Sequence, residues 1–335
     1  MTLGISVVVC CHNSAQRLPQ TLTHLAAQQV HEGLQWEVIV VDNASMDETS
    51  QVALNCWPAD RPALLRVVCE PRLGLSYARH RGLAEAEYEI VSFIDDDNWV
   101  CSNWVQLVAE VMSQHPDIGA CGGFSEPVCE VSPPQWFNIY KECYAIGSQG
   151  EEAGNITGTR GIFWGAGLSV RASAWQQLID KKFKFLLVDR QGTTLGAGSD
   201  SELCYALRLA GWRLWYEPRL RMRHFIPIKR LKWTYLRRIC RGFGASSVGL
   251  APYIHALHRK TDGHAVRIKQ IWYWQVLATL ITLSRSPLKL VQALLNDMEG
   301  DPEVLSLEGQ LGKLFELMQR RRMFDLSFSE VSRLA

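Results

Sequence analysis

The chain has 335 residues, 47% of them hydrophobic, and a formal net charge of +1. This length allows one large domain or two smaller ones, and the near-neutral charge argues against a nucleic-acid partner. The ten cysteines form no CxxC pair and lack zinc-type spacing with histidine. We therefore expect reduced thiols, a cytoplasmic location and no zinc site. The start, MTLGISVVVCCHN, has no basic segment or cleavage site and is predicted to be a strand, not a signal peptide.

The first 125 residues alternate between β-type apolar segments and segments with helical spacing. The predicted strands are Ile5–Cys10, Trp36–Val41, Leu64–Cys69, Glu89–Ile94 and Ile118–Gly123. The predicted helices between them are Arg17–Gln29, Asp47–Cys56, Leu75–Ala86 and Asn103–Ser113. This alternation predicts βαβ units, and therefore an α/β fold with a mostly parallel central sheet flanked by helices.

The regular alternation of predicted strands and helices ends after residue 125. Further strands are predicted at Gly161–Val170, Trp212–Tyr216 and Leu220–Phe225. A helix is predicted from Asp200 to Gly211, where the glycine suits a helix end. From Ile228 onward the pattern is mainly helical. We therefore divide the chain into an α/β domain, residues 1–227, and a helical C-terminal region, residues 228–335.

Three consecutive acidic residues follow the fourth predicted strand. The apolar segment Val91–Ile94 ends in Asp95, Asp96 and Asp97. Adjacent carboxylates repel one another, and a divalent cation is a common reason for placing them together. Mg²⁺ or Mn²⁺ takes oxygen ligands and shares its other positions with water and substrate phosphates. A solvated acidic turn is the alternative, and the triplet alone favours neither.

Polar side chains also follow the first two strands, with His12 and Asn13 after the first and Asp42 after the second. Ligands of open α/β sheets bind beyond the carboxyl ends of the strands, so we expect these groups to converge. The segment after strand one, CCHNSAQRL, contains no glycine, which argues against a dinucleotide-dependent dehydrogenase. The P-loop pattern is also missing. Without a glycine-rich cradle, a bound phosphate needs another source of positive charge, such as a metal.

Seven segments in order, spread over residues 4–225, resemble the inverting, nucleotide-sugar-dependent family 2 glycosyltransferases with the GT-A fold. These segments are SVVVCCHNSAQRLPQTL, EVIVVDNASMDET, GLSYARHRGLAEA, SFIDDDNW, FWGAGLSVRASAW, GSDSELCYALRLAGW and RMRHF. The resemblance implies a GT-A nucleotide-sugar-binding fold with a helical C-terminal extension.

The resemblance also implies the residues that bind the nucleotide. Asp42 would contact the base or its ribose, and Cys11, His12 and Asn13 would lie against the base. Relatives often have Thr and Tyr where this chain has Cys11 and His12, so the base stays open, with UDP favoured. Arg79 would face the nucleotide or the diphosphate.

By the same resemblance, Asp95 and Asp97 form the Asp-x-Asp (DXD) pair. Asp97 would bind the divalent metal, Mn²⁺ or Mg²⁺, and Asp95 the ribose or a metal-bound water. Asp96 would face the sugar. His224, in the RMRHF segment, would approach the metal or the diphosphate.

Asp200 is the expected catalytic base. Relatives usually have Glu-Asp where this chain has Ser199-Asp200, so only the second acid is kept. A helix N-cap is the structural alternative for Asp200. The loop Phe185–Gly198 before it either closes over the site through Asp189 and Arg190 or is an ordinary surface loop.

The implied reaction transfers a sugar, with inversion, from a nucleoside-diphosphate sugar to an acceptor hydroxyl in glycan, polysaccharide or glycolipid synthesis. A sugar-phosphate nucleotidyltransferase is one alternative, but it should carry a glycine-rich signature after strand one. A non-catalytic nucleotide-sugar-binding module is another, although the preserved acids argue against it.

The C-terminal region is open to several interpretations. Residues 219–241 contain nine basic and no acidic side chains, and Ile271–Leu283 is apolar with three adjacent aromatics. Thirteen residues cannot span a bilayer, so a buried helix is favoured over an interfacial one. The region could contact the inner face of the membrane peripherally, bind a glycan or lipid-linked acceptor, or form a homo-oligomer.

Overall fold

A computed structural model describes residues 2–60, 63–187, 198–262, 271–285, 287 and 299–334. In these residues nine strands form one sheet. The strands are β1 (Thr2–Cys11), β2 (Trp36–Asn43), β3 (Leu64–Glu70), β4 (Tyr88–Asp95), β5 (Asn98–Val100), β6 (Ile118–Cys129), β7 (Gly154–Asn155), β8 (Ser169–Arg171) and β9 (Arg213–Ile226). The predicted loop contacts of Asp189 and Arg190 lie outside the described residues.

The strand order is β3-β2-β1-β4-β8-β6-β9-β5, and β7 pairs with β9. The four strands β1 to β4 are parallel to one another. The other half of the sheet is mixed, because β8 runs antiparallel to β4 and β6, whereas β6 and β9 are parallel. The predicted α/β class is confirmed. The carboxyl ends of β1, β2 and β4 lie at one edge, which we call the strand-end rim.

Helices cover the sheet on both sides and continue to the C-terminus. They are α1 (Leu18–Ala26), α2 (Thr49–Cys56), α3 (Leu75–Glu85), α4 (Trp104–Gln114), α5 (Phe137–Tyr140), α6 (Ala172–Asp180), α7 (Ser199–Leu209), α8 (Trp233–Asp262), α9 (Trp272–Ser284), α10 (Pro302–Gln319) and α11 (Arg321–Ser332). Short 3₁₀ turns occur at Lys141–Tyr144 and Ile228–Arg230.

The parallel strands are apolar on both faces because each face is covered by helices. In β1, Val7 and Val9 pack with α1 and α4, while Val8 between them packs on the other side with α3 and α7. In β2, Val38 packs on the same side as Val7 and Val9, and Ile39 packs on the same side as Val8. This explains why these strands lack the apolar–polar alternation of a half-exposed sheet.

Two strand predictions needed correction. Only the last residues of the predicted strand Gly161–Val170 belong to a strand, β8. The residues before them form a turn that runs beside β4, where the Gly167 amide donates to the Phe93 carbonyl at 3.0 Å. The two predicted strands around Pro218 are one continuous strand, β9. Its pairing with β6 shifts register between Gly122 and Phe124. Such an irregularity tolerates proline, which cannot donate to a ladder.

The C-terminal helices pack on the sheet domain and on each other. An apolar cluster joins Trp136 and Phe137 to Ile226, Trp233 and Val304. This cluster contains residues from both sides of the predicted domain boundary at residue 227, and the division into two domains stays a prediction. The predicted buried helix at 271–283 is wrong: α9 forms, but Tyr273, Trp274, Leu277, Leu280 and Ile281 are exposed. Of the helices described, none is both long and apolar enough to cross a bilayer.

Helices α8 and α10 approach closely through glycine and a buried carboxylate. Glu308 on α10 accepts hydrogen bonds from Arg237 Nε at 2.9 Å and Arg241 Nε at 2.7 Å, both on α8. A Cβ atom at Gly312 would lie 1.9 Å from the Arg241 carbonyl oxygen, so only glycine permits this approach.

We expect Gly312→Ala to destabilise the protein by about 1–3 kcal/mol, since the helices must separate to admit a methyl group. Gly309→Ala in the same helix is the matched control, because its Cβ would meet the nearest atom, the Cys240 carbonyl oxygen, at 3.8 Å. Urea unfolding measures both variants. Equal stability of the two would show that the close approach is not a constraint.

Candidate active site

The loops after β1 and β2 are tied together at the strand-end rim. His12 Nδ1 lies 2.8 Å from the Asn43 carbonyl oxygen. The Asn13 amide donates to Ser45 Oγ at 3.0 Å, and its side-chain oxygen accepts from the Met46 amide at 2.8 Å. Asn13 has φ of +50°, a conformation that asparagine tolerates better than most residues. The two loops therefore form one hydrogen-bonded surface.

Asp42 and Cys11 are paired across β1 and β2, but their side chains have different surroundings. The Asp42 carboxylate accepts hydrogen bonds from the Ser45 amide at 3.1 Å and from the Ser50 hydroxyl. Cys11 is fully buried in the apolar cluster that contains Val7 and Val9. Burial, followed by the charge of Asp96, raises the pKa of the Cys11 thiol well above its usual range. The structure thus places Asp42 at the rim and Cys11 in the core.

Asp96 is directed at protein groups. Its carboxylate accepts hydrogen bonds from the Ser14 hydroxyl and from Arg17 Nη2, the latter at 2.6 Å. Its main-chain carbonyl accepts from the Thr21 hydroxyl at 2.9 Å. Burial and the neighbouring charge of Asp97 raise the pKa of Asp96, and Arg17 and Ser14 offset only part of this. Asp96 therefore ties the turn after β4 to α1.

Asp97 faces β9 and the turn that follows it. Its Oδ1 lies 3.4 Å from His224 Nε2, and its Oδ2 accepts a hydrogen bond from Arg230 Nη1 at 2.9 Å. The pairing of β5 with β9 sets this arrangement, because Asn98 is opposite His224 and the Phe225 amide donates to the Asp97 carbonyl at 2.9 Å. The structure therefore places Asp97 beside His224, and a shared role of the two in metal binding stays a prediction.

The charges around Asp97 keep it ionised although it is buried. Burial alone would raise the pKa of Asp97, but His224, Arg230 and Arg17 outweigh it and hold the pKa far below its usual range. Burial would likewise lower the pKa of Arg230, but Asp97 leads a group of neighbours that raise it. Asp95 belongs to that group. Within the described residues the Asp95 carboxylate makes no hydrogen bond, although its amide donates to Asn98 Oδ1 at 3.2 Å.

Asp200 lies in the first turn of α7 and is held by two backbone amides. Its Oδ2 accepts from the Gly165 amide at 2.6 Å and its Oδ1 from the Ser201 amide at 2.8 Å. Gly165 belongs to the turn that runs beside β4. These hydrogen bonds fix the orientation of the carboxylate and connect α7 to the strand that leads to Asp95.

Arg79, from α3, lies beside the start of α7. Its Nη1 is 3.3 Å from Ser199 Oγ, and its guanidinium carbon is 5.8 Å from the centre of the Phe93 ring on β4. A Cβ atom at Gly165 would be 2.1 Å from Arg79 Nη2. Glycine at 165 is therefore required for the guanidinium to occupy this position.

Asp97 and His224 fit a divalent cation held by two protein ligands. Carboxylate and imidazole are ligands that Mn²⁺ accepts, and Asp97 Oδ1 and His224 Nε2 are close enough to share one ion. His224 Nδ1 is buried and has no hydrogen-bond partner among the residues that the structure describes. The described part of the chain contains no group of three such ligands. The remaining positions would fall to diphosphate and water, as is usual for Mg²⁺ sites.

Four residues that contact the candidate site acids are not distinguished by the sequence. They are Ser14, Arg17, Gly165 and Arg230. Arg230 was included only as a member of the basic segment 219–241. Composition drew attention to that segment, but nothing in its spacing distinguishes Arg230 from the other eight basic side chains.

A protein-family model described as "Glycosyl transferase family 2" matches residues 6–178, just over half of the chain. The succinoglycan biosynthesis protein ExoM of Rhizobium meliloti is 25% identical over 247 residues, which cover 72% of this chain and 74% of ExoM. A cholesterol galactosyltransferase of Borreliella burgdorferi is 28% identical over 104 residues. That match covers 31% of this chain and only 28% of the galactosyltransferase.

Solved structures agree on the fold. S. aureus TarS 1-349 in complex with UDP-GlcNAc has a TM-score of 0.54 and 16% identity, covering 98% of this chain and 89% of that one. GalNAc-T7 with UDP, GalNAc and Mn²⁺ has a TM-score of 0.51 and 18% identity, covering 77% of this chain and 50% of that one. Because the family model matches more than half of the chain, the chain belongs to glycosyl transferase family 2.

Proposed function

We propose that this protein transfers a sugar, with inversion, from a nucleoside-diphosphate sugar to an acceptor hydroxyl. The observation that carries the proposal is the presence of two carboxylates with different surroundings near the end of β4. Asp97 lies among cationic side chains, whereas Asp200 is held by backbone amides of Gly165 and Ser201. The Asp97–His224 pair suits a metal, the cations beside it suit a diphosphate, and the amide-held Asp200 suits a proton acceptor.

The donor would bind along the strand-end rim. Asp42 would accept hydrogen bonds from the base or the ribose, and His12 and Asn13 would contact the base. Cys11 would act only through packing, because it is buried. The nucleotide is proposed to be UDP, which is supported by the UDP-GlcNAc and UDP bound to TarS and GalNAc-T7.

Asp97 and His224 would hold the divalent cation. When bound, Mn²⁺ or Mg²⁺ stabilises the negative charge of a leaving diphosphate as a Lewis acid. Arg79 would add a guanidinium, whose fork of N–H groups matches phosphate oxygens. The Asp95 carboxylate lies near Arg230 and makes no hydrogen bond to the described residues. Asp95 would face the ribose.

Asp200 would remove the proton from the acceptor hydroxyl. A carboxylate held in one orientation can accept that proton with little rearrangement, and a positioned base contributes about 10²–10⁴-fold. Inversion requires the acceptor to attack from the side opposite the leaving group, as in inverting hydrolases. Asp200 would therefore have to face the anomeric carbon from the side opposite the metal; it begins α7, whereas Asp97 follows β4.

The acceptor is proposed to be a glycan or a lipid-linked molecule. The name of ExoM refers to succinoglycan biosynthesis and that of the Borreliella protein to cholesterol. These names support a saccharide or lipid acceptor as a class, and a role in polysaccharide or glycolipid synthesis.

Replacing Asp200 by asparagine should lower kcat about 10²–10⁴-fold, because the amide cannot take the proton. The Kd for the donor should change by less than about threefold. The measurement is UDP release with an acceptor panel, together with calorimetric UDP-sugar binding. Asp180→Asn, an exposed aspartate in α6, is the control. Parallel loss of binding and turnover would assign Asp200 a structural role.

Replacing Asp97 by asparagine should remove the metal-dependent part of nucleotide binding. UDP affinity in Mn²⁺ should fall at least about tenfold, toward the value in chelator. Isothermal titration with UDP, in Mn²⁺ and in EDTA, measures the difference. Asp117→Asn, an exposed aspartate preceding β6, should behave like the wild type. If EDTA did not weaken UDP binding to the wild type, a role for Asp97 in metal binding would be excluded.

Asp96→Asn should destabilise the fold by about 1–3 kcal/mol, because Arg17 and Ser14 lose a buried charged partner. Asp95→Asn should stay within about 0.5 kcal/mol of the wild type, since its carboxylate bonds to none of the described residues. Urea unfolding compares the two. If Asp96→Asn kept full stability but lost donor binding, Asp96 would belong to the donor site instead.

A further inference from the structure

Arg230 occupies the region where Asp97 and His224 face each other. Its Nη1 lies 2.9 Å from Asp97 Oδ2 and 3.4 Å from His224 Nε2. The same nitrogen therefore contacts both residues that would bind the metal.

The main chain of Arg230 is fixed, whereas its side chain is less enclosed. The Arg230 amide donates to the Pro227 carbonyl at 2.8 Å, and its own carbonyl accepts from the Tyr144 hydroxyl at 3.0 Å. The side chain keeps 20% of its surface exposed, against 4% for Asp97 and 10% for His224. The Arg230 side chain is thus the most exposed of the three and is also the longest, so it is the one that we expect to move when a ligand binds.

A divalent cation bound to Asp97 and His224 would have to share Asp97 with this guanidinium. The repulsion between the two positive charges is strong because the site is largely closed to water. Because the metal and the guanidinium would compete for Asp97, binding of the metal alone weakens the ion pair of Arg230. A diphosphate changes this situation, since it offers oxygens to the fork of the guanidinium and the missing ligands to the metal.

We propose that Arg230 neutralises Asp97 in the donor-free protein and transfers to the donor diphosphate when metal and nucleotide bind. The consequence is positive coupling: Mn²⁺ binds weakly alone and tightly with UDP. Because coupling between two ligands is reciprocal, UDP also binds more tightly with Mn²⁺ by the same factor. This inference rests on the metal and nucleotide sites proposed above.

The ion pair between Arg17 and Asp96 has a different character. Arg17 contacts Asp96 together with Ser14, and these bonds connect the turn after β4 to α1. Arg230 instead contacts the carboxylate that His224 also faces. Only the second pair stands where a metal would be bound, so only the second pair is expected to exchange partners.

The test measures Mn²⁺ binding by electron paramagnetic resonance, without turnover. Arg230→Met removes the charge and keeps the length of the side chain. Arg223→Met is the matched control, because Arg223 is an exposed arginine on β9, next to His224, and its guanidinium lies over the Trp99 ring at 5.6 Å. Thermal melting of each variant first establishes that it is folded.

In the wild type, UDP should strengthen Mn²⁺ binding by about 5–150-fold, the usual range of coupling between sites. Arg230→Met should bind Mn²⁺ alone about tenfold or more tightly than the wild type, and its coupling factor should shrink. Its UDP affinity in Mn²⁺ should fall. Arg230→Lys keeps a charge beside Asp97, so its affinity for Mn²⁺ alone should stay close to that of the wild type. Arg223→Met should match the wild type throughout.

Two results separate the possible failures. If UDP binding depends on Mn²⁺ but Arg230→Met binds Mn²⁺ alone no more tightly than the wild type, the exchange of partners is wrong and the proposed function stands. If the wild type binds UDP equally well in Mn²⁺ and in EDTA, the metal site itself is wrong, and the exchange fails with it.

Discussion

The structure depends on how three consecutive carboxylates are accommodated at the end of a buried strand. Asp95, Asp96 and Asp97 would repel one another if they shared one environment. The chain turns sharply after β4, so that the three carboxylates have different surroundings. Asp96 bonds to Ser14 and Arg17, while Asp97 faces His224. The separation leaves one acid as a structural anchor and one among cations.

Neighbouring elements are positioned by this turn. Asp96 fixes the start of α1, and the main-chain carbonyl of Asp97 holds β9 through the Phe225 amide. Short β5 then pairs with β9, which brings His224 to the rim. The long strand β9 therefore connects the strand-end rim to the helical C-terminal region, and Arg230 follows directly after it.

A second constraint concerns the approach of α3 and α7. Gly165 admits the Arg79 guanidinium and donates its amide to Asp200. The absence of a side chain at Gly165 makes room for the Arg79 cation, and the amide of the same residue binds the Asp200 anion. A larger residue at 165 would displace the Arg79 guanidinium. Gly165 is thus the position at which Arg79 and Asp200 come together.

The sequence by itself determined the elements and the acids. Apolar periodicity depends on neighbouring residues, so it predicted β1 to β4 and the helices between them, and the ordered motifs indicated the family. Asp97, His224 and Asp200 were identified because each lies in a recognisable local segment. The partners of these acids were a different matter. Asp97 and Arg230 are 133 residues apart, and Asp96 and Arg17 are 79 apart.

Only the tertiary structure decided which cation meets which carboxylate, because contacts over such separations depend on strand order and crossing geometry. The same reason explains the errors. The two strands predicted on either side of Pro218 form one strand, because the register shift with β6 lets β9 continue. The apolar segment at α9 has the composition of a buried helix, and composition does not record whether a neighbour covers it. Burial is a property of the assembled helices, whereas periodicity is a property of the chain.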